Sequence, residues 1–316
     1  MDTASDAMLR TAPFHAGEIS AQERTGVRAK MEKVGNAFLR NYMPEQHREF
    51  FALLPTLFAG GSDADGCLWA SLLWGDAGFV QSPAPASLRV GAHLLPDDPL
   101  AAMLQPGAPL GLLGLEFETR RRNRANGVVA EVDAQGFTFT VQQSFGNCHK
   151  YIQTRERIAS PSGEQAAAPL KGSGPLPDAA LTLIRQSDTF FIATAVAHGA
   201  DVSHRGGRPG FVQVDAQGVI TWPDFQGNNF FNTIGNLLAD GRAGLLFIDF
   251  ERGDLLQLSG RAEVLWDGPE VERFQGAQRM LRFSTEHFIL RQRALPLRWS
   301  LCEPSPHLEA TGIWDR

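Results

Sequence analysis

Apolar positions along this chain switch between helical and strand spacing twice, in the same order each time. In PEQHREFFALLPTLF (residues 44–58) and PDAALTLIRQSDTFF (177–191), apolar residues recur at three- and four-residue steps, which predicts an amphipathic helix at the head of each half. After the second helix, FFIATAVAH predicts a strand. A turn, a strand ending in PGFV, a short strand GVITWPD and a helical segment NTIGNLLADG closed by Gly241 come next. A long hairpin completes the half, AGLLFIDFE and LQLSGRAEVLW around the turn RGDL. Six or so short strands with one or two helices predict a small closed β-barrel, so the expected fold class is mainly β with helices.

The two halves also share sequence. GLLGLEFE at 111–118 returns as GLLFIDFE at 244–251, an offset of 133, and Asn126-Gly127 falls on Ser259-Gly260 at the same offset. Leu57-Phe58 falls on Phe190-Phe191; with one residue of slip, GFVQ at 78–81 falls on GFVQ at 210–213 and Ser71 on Ser203. Collinear matches at nearly one offset predict an internal duplication. ASPSGEQAAAPLKGSGPLPDAA, between the copies, is too poor in large apolar residues to bury a core and reads as a linker. The expected organisation is a helical arm (1–44), a first barrel (45–157), a linker (158–177) and a second barrel (178–316).

Composition narrows the function. Apolar residues make up 43% and charged residues 20%, the balance of a folded soluble chain, and 316 residues suit two domains. A formal charge of −6 argues against nonspecific nucleic-acid binding, though one small anion needs only a local nest of donors. Cys67, Cys148 and Cys302 stand far apart, with no metal-ligand or disulfide spacing. The N-terminal stretch has no apolar signal region and no run approaches a membrane span, so the expected compartment is the cytosol.

Chemistry concentrates in the second copy. Ser203, His204 and Arg205 alternate at a strand end, and arginine offers a planar fork for phosphate oxygens. Gly206 and Gly207 let backbone N–H groups approach a ligand. Gly227-Asn228-Asn229 precedes a helix from about Asn232, where amides and a helix N-terminus receive an anion; Asn236 follows one turn on. A phosphorylated, planar ligand fits this set, while ordinary turns would also use such residues. At the matching places copy one carries SLLWGD and His93-Leu-Leu-Pro-Asp-Asp-Pro, with carboxylates for amides, so one phosphate site per chain is expected. Arg120–Arg122 and Arg124 read first as a solvated turn pairing with acidic neighbours, and second as a contact to a ligand phosphate or a partner subunit. Cys148 beside His149 invites a nucleophile, but strand neighbours point to opposite faces.

These strings carry a resemblance. DVSHRGGRPGFV followed by WPDFQGNNFFNTIGNLLADGRAGLLFIDFERGDLLQLSGRAEV is similar to the pyridoxamine 5′-phosphate oxidase-related FMN-binding split barrels. QSFGNCHKYIQTR resembles the NCPKYI-type ending of that group, and FHAGE, MPEQHREFFALLP and RRRNRANG resemble its tandem two-unit members. The resemblance implies FMN at a barrel–barrel interface, formed here by a pseudo-dimer within the chain or by a further homodimer. It places Ser203, His204 and Arg205 along the flavin, Asn228, Asn229, Asn232 and Asn236 at its phosphate and ribityl chain, and Arg298-Trp299 near flavin and substrate. It implies an FMN-dependent oxidoreductase acting on a small molecule and fed by NAD(P)H or a separate reductase. The alternatives are a non-catalytic flavin-binding or sensing protein and a scaffold for a partner reductase. Which side chains are catalytic is left open, and no nucleic-acid partner or membrane association is expected.

Overall fold

The computed structural model describes residues 12–160, 166–197 and 199–314; the start of the expected arm, five expected linker residues, His198 and the last two residues lie outside them. Three helices, α1 (Ala16–Arg24), α2 (Arg28–Phe38) and α3 (Glu45–Leu53), lead into β1 (Thr56–Ser62), β2 (Leu68–Trp74), β3 (Val80–Ala84) and β4 (Ser87–Val90). One turn of helix, α4 (Leu100–Met103), precedes β5 (Pro109–Glu116), β6 (Arg121–Asp133) and β7 (Gly136–Gly146). After β8 (Thr154–Ile158) and β9 (Leu170–Gly172) the order restarts with α5 (Asp178–Gln186), β10 (Thr189–Val196), β11 (Gly199–Gly206), β12 (Gln213–Val214) and β13 (Ile220–Phe225). It continues through α6 (Asn232–Ala239), β14 (Arg242–Ile248), β15 (Leu255–Leu265), α7 (Pro269–Arg273), β16 (Ala277–Arg291) and β17 (Arg298–Glu303).

Both units close their helices early and convert the remaining residues to strand. Pro55 has no N–H to give a helix, and β1 begins one residue later. In α5 the Ser187 hydroxyl donates back to the Leu183 carbonyl at 2.7 Å, and β10 starts at Thr189. PGFV is a turn rather than a strand end, because Gly210 sits at φ +92°, where side-chain-bearing residues are strained.

The first sheet runs β2-β1-β5-β6-β7-β4-β3 and the second β11-β10-β14-β15-β16-β13-β12, the same order strand for strand. Among the described residues no ladder joins the outer strands β2 and β3, or β11 and β12, so each barrel is split on that side. The fold is mainly β, with two split barrels in tandem. The linker region contributes β9, which adds to β16 along Phe288–Leu290, and β8 pairs with β17.

Strand alternation divides the apolar residues among three cores. Leu57, Ala59, Leu110 and Leu112 face the core of the first barrel; Phe190, Ile192, Leu245 and Phe247 face that of the second. The opposite faces meet in a third cluster, where Phe58, Leu113 and Leu115 pack with Phe191, Leu246 and Ile248. Phe58 and Phe191 stack with centroids 3.6 Å apart. Contacts across this seam recur with both residue numbers shifted by 133 and the units exchanged. A Cβ on Gly111 would lie 2.6 Å from the Asp201 Cα, and one on Gly244 would lie 2.5 Å from the Leu68 carbonyl oxygen. Backbone there approaches backbone too closely for any side chain.

Replacing Gly244 with Ala should therefore push the barrels apart at the seam, at a cost of about 1–3 kcal/mol for overpacking. Urea unfolding of G244A checks this; a variant as stable as the parent would show that the seam is not tight.

Candidate functional site

The seam opens at one end into a cavity of about 280 Å³ between the units. β11 supplies Ser203 and Arg205 to its wall, β13 supplies Asp224, and β16 supplies Arg279. Asn228, Asn229 and the first residues of α6 form one rim, while Thr25 and Val27 close it from the N-terminal arm. The first unit reaches across with Arg124 of β6. His204 points to the other face of β11, as strand alternation demands. There it meets Arg122, Cys148 and Tyr151 around a smaller cavity of about 60 Å³. Arg205, Asp224, Phe225 and Gly227 border both spaces.

Arg124 ties the units together in this place. It donates to Asn232 Oδ1 at 2.9 Å and to the Ser203 hydroxyl, and pairs with Asp201 at 3.1 Å. Asp224 holds Arg205 at 3.2 Å and Arg279 at 2.9 Å. Behind the rim, buried Glu18 of α1 accepts from Asn232 Nδ2 at 2.6 Å, so the arm fixes the head of α6. Arg122 donates to His204 Nδ1 at 3.2 Å. A guanidinium can only donate, so Nδ1 accepts and the histidine proton sits on Nε2.

Among the described residues that line these two cavities, four buried donors have no hydrogen-bond partner: Nε of Arg124, of Arg205 and of Arg279, and Nε2 of His204. Burial with Arg124 beside it pushes the Arg122 guanidinium down to about 9, and burial also lowers Arg124 and Arg279. Burial, then Arg122, holds His204 well below its ordinary value of 6.5. The walls are thus over-supplied with cations and N–H groups, which is the chemistry of a site for an anion.

Of the residues expected from sequence, Ser203, Arg205, Asn228, Asn229 and Asn232 line the larger cavity and His204 the smaller. Asn236 stands apart: its amide donates to Thr194 Oγ1 at 3.0 Å and its oxygen faces His15 Nε2 at 2.9 Å. Arg298 and Trp299 border neither cavity. Arg298 donates to the Leu295 and Leu297 carbonyls, and Trp299 packs edge-on against Phe250. The arginine run divides. Arg120 reaches Glu303 and Arg121 the Gln46 carbonyl near the surface, whereas Arg122 and Arg124 turn inward. Their two-residue spacing on a strand was the signal for a shared face; it was hidden by reading the run as a turn. Arg279 had no local signal at all. Among the described residues no cluster suited to a metal ion occurs, and no helix is long and apolar enough to cross a membrane.

Residues 176–300 match the sequence family described as pyridoxamine 5′-phosphate oxidase. The second unit belongs to that family. Solved structures similar to the chain include HupZ of Group A Streptococcus, at 17% identity and TM-score 0.30, covering 36% of this chain and 98% of that one. An FAD-binding protein from Mesorhizobium loti matches at 15% identity and TM-score 0.29, over 40% of this chain and 99% of its own. The FAD-binding protein of Mycobacterium smegmatis matches at 13% identity and TM-score 0.26, over 40% and 98% respectively. No curated protein matches the chain.

The buried histidine of this second unit makes acid stability testable. Below its ordinary value of 6.5 the unfolded chain takes up a proton at His204 that the native state refuses. Native stability is therefore present above that pH and lost as pH falls, by up to about 1.4 kcal/mol per pH unit. H204N should lose less stability than the parent between neutral and mildly acidic pH in urea unfolding. Equal losses would mean that His204 charges without resistance in the folded state.

Proposed function

We propose that the chain binds one FMN between its two barrels and works as an FMN-dependent oxidoreductase on a small molecule, drawing electrons from NAD(P)H or a separate reductase. The observation that carries this reading is the set of unpartnered guanidinium N–H groups on Arg124, Arg205 and Arg279 around the larger cavity. Buried Arg124 and Arg279 and half-buried Arg205, whose carboxylate partners at contact distance among the described residues are Asp201 and Asp224, are suited to a phosphate, whose charge would offset what burial costs Arg124 and Arg279. The match of the second unit to the pyridoxamine 5′-phosphate oxidase family supports a flavin in this place.

In this assignment Arg124, Arg205 and Arg279 hold the phosphate, and Asn228, Asn229 and Asn232 serve the polar chain. The head of α6 contributes too, since it has no side-chain cap to compete with a ligand for its N–H groups. Tyr151, Phe211 and Phe225 offer flat apolar faces beside the smaller cavity, where Arg122, Lys150 and the Nε2–H of His204 supply positive charge and a donor. Bound flavin would supply hydride and electron transfer, so no acid, base or nucleophile from the chain is required. His204 is a donor here rather than a base, because its acceptor nitrogen is already engaged by Arg122. The repeated strand order and the contacts repeated at one offset support a duplicated ancestor. One chain then provides both walls that such a ligand needs.

The purified protein should show a flavin absorbance spectrum and release close to one FMN per chain on denaturation. Protein that stays colourless after incubation with FMN would overturn the assignment. R124Q and R205A should each weaken FMN binding by roughly 10- to 150-fold, the ratio corresponding to one charge-assisted hydrogen bond. Flavin fluorescence titration measures this, and unchanged affinity in both variants would overturn the phosphate position.

A further inference from the structure

The seam repeats itself at a second place, and there the cavity is filled. Gln257 on β15 lies 133 residues after Arg124 on β6, and Ser71 on β2 takes the place that Ser203 has on β11. Across the seam Arg124 donates to Ser203, and in the mirrored contact Gln257 donates to Ser71 at 3.0 Å. Around the second barrel this contact borders the open cationic cavity. Around the first it borders the carboxylate of Asp98, which is only 4% exposed.

Three donors converge on that carboxylate. The Ser71 hydroxyl donates to Oδ1 at 2.5 Å, the Leu100 N–H to Oδ1 at 2.9 Å, and Gln257 Nε2 to Oδ2 at 3.3 Å. Arg291, itself buried, donates to Gln257 Oε1 and to the Asp97 carbonyl, which fixes the glutamine amide with its NH₂ toward Asp98. Local capping of the turn at Leu100 needs one oxygen only. The other lies 3.3 Å from Gln257 Nε2 of the opposite barrel, an amide that also faces the Ala70 carbonyl and the Ser71 hydroxyl at 3.0 Å and whose oxygen is engaged by Arg291. Burial raises the Asp98 carboxyl, and the hydrogen bonds and the charge of Arg291 act against that rise.

We propose that the first barrel retains an anion site and fills it with its own Asp98 carboxylate, as an internal ligand, and that this site, once emptied, binds a free small carboxylate. This is independent of whether the other cavity holds a flavin.

The test removes the carboxylate and supplies one from solution. Thermal unfolding of D98G is followed in potassium chloride and in potassium acetate at equal ionic strength, beside the parent and D98N. Expected is a melting temperature several degrees below the parent in chloride, largely recovered in acetate. D98N, which fills the space without the charge, should also melt low and gain nothing from acetate. Recovery should vanish in D98G/Q257A. If D98G does not fold in chloride, D98A with formate makes the same comparison in a smaller hole. Acetate that raises D98G no more than it raises the parent overturns the proposal, as does D98N melting with the parent. Flavin content measured on the same samples reports on the other cavity alone, so the two readings fail separately.

Discussion

Everything that gives this chain a site depends on how closely its two sheets approach. At Gly111 and Gly244 the backbone of one barrel rests against the backbone of the other, with no space for a methyl group. Around those points Phe58, Leu113, Phe191 and Leu246 form a core that belongs to neither barrel. The burial of large apolar faces on both sides of β1, β5, β10 and β14 makes the separation of the units costly. Only at that spacing can an arginine rooted on β6 reach a serine on β11.

The same closeness creates the electrostatic problem that the cavity embodies. Arg122, Arg124 and Arg279 are withdrawn from water, and the carboxylates within reach leave several guanidinium N–H groups unmatched. Buried polar groups of native proteins are rarely left so. Strand geometry explains why the excess is divided between two spaces. Alternate residues of β11 face opposite ways, so Ser203 and Arg205 serve the larger cavity while His204 serves the smaller. The N-terminal arm completes the rim through the hydrogen bond from Asn232 to Glu18 and the tight contact of Gly17 with Gly235.

Much of this was legible in the chain. The strand that carries Ser203–Arg205, the hairpin of β14 and β15 and the short helix α6 follow from apolar spacing and from glycine positions, because these are local properties. Of the polar residues of that stretch, Ser203, Arg205, Asn228, Asn229 and Asn232 come together around the larger cavity and His204 faces the smaller, while Asn236 points back toward β10 and His15. Arg124 enters the sequence reading only within the arginine run, with a ligand phosphate as its second reading, and Arg279 has no reading there, because their significance is non-local. Each becomes part of a site only through strands that arrive from distant parts of the sequence. β16, the longest strand, escaped notice for a related reason. It pairs with β15 on one side and with β13 and β9 on the other, and its register shifts opposite Ser259 and Gly260, so its alternation is broken along its length.

The inequality of position 124 and position 257 has a consequence for how such a molecule can vary. In an assembly of two identical chains related by a two-fold axis, any substitution at the axis is made twice, and both copies of a pocket improve or fail together. Joining the halves in one polypeptide lifts that restriction. An arginine can stand on one side of the axis and a glutamine on the other, and a change at one site leaves its twin untouched. One pocket is then free to specialise while the other is retained for the strength of the joint.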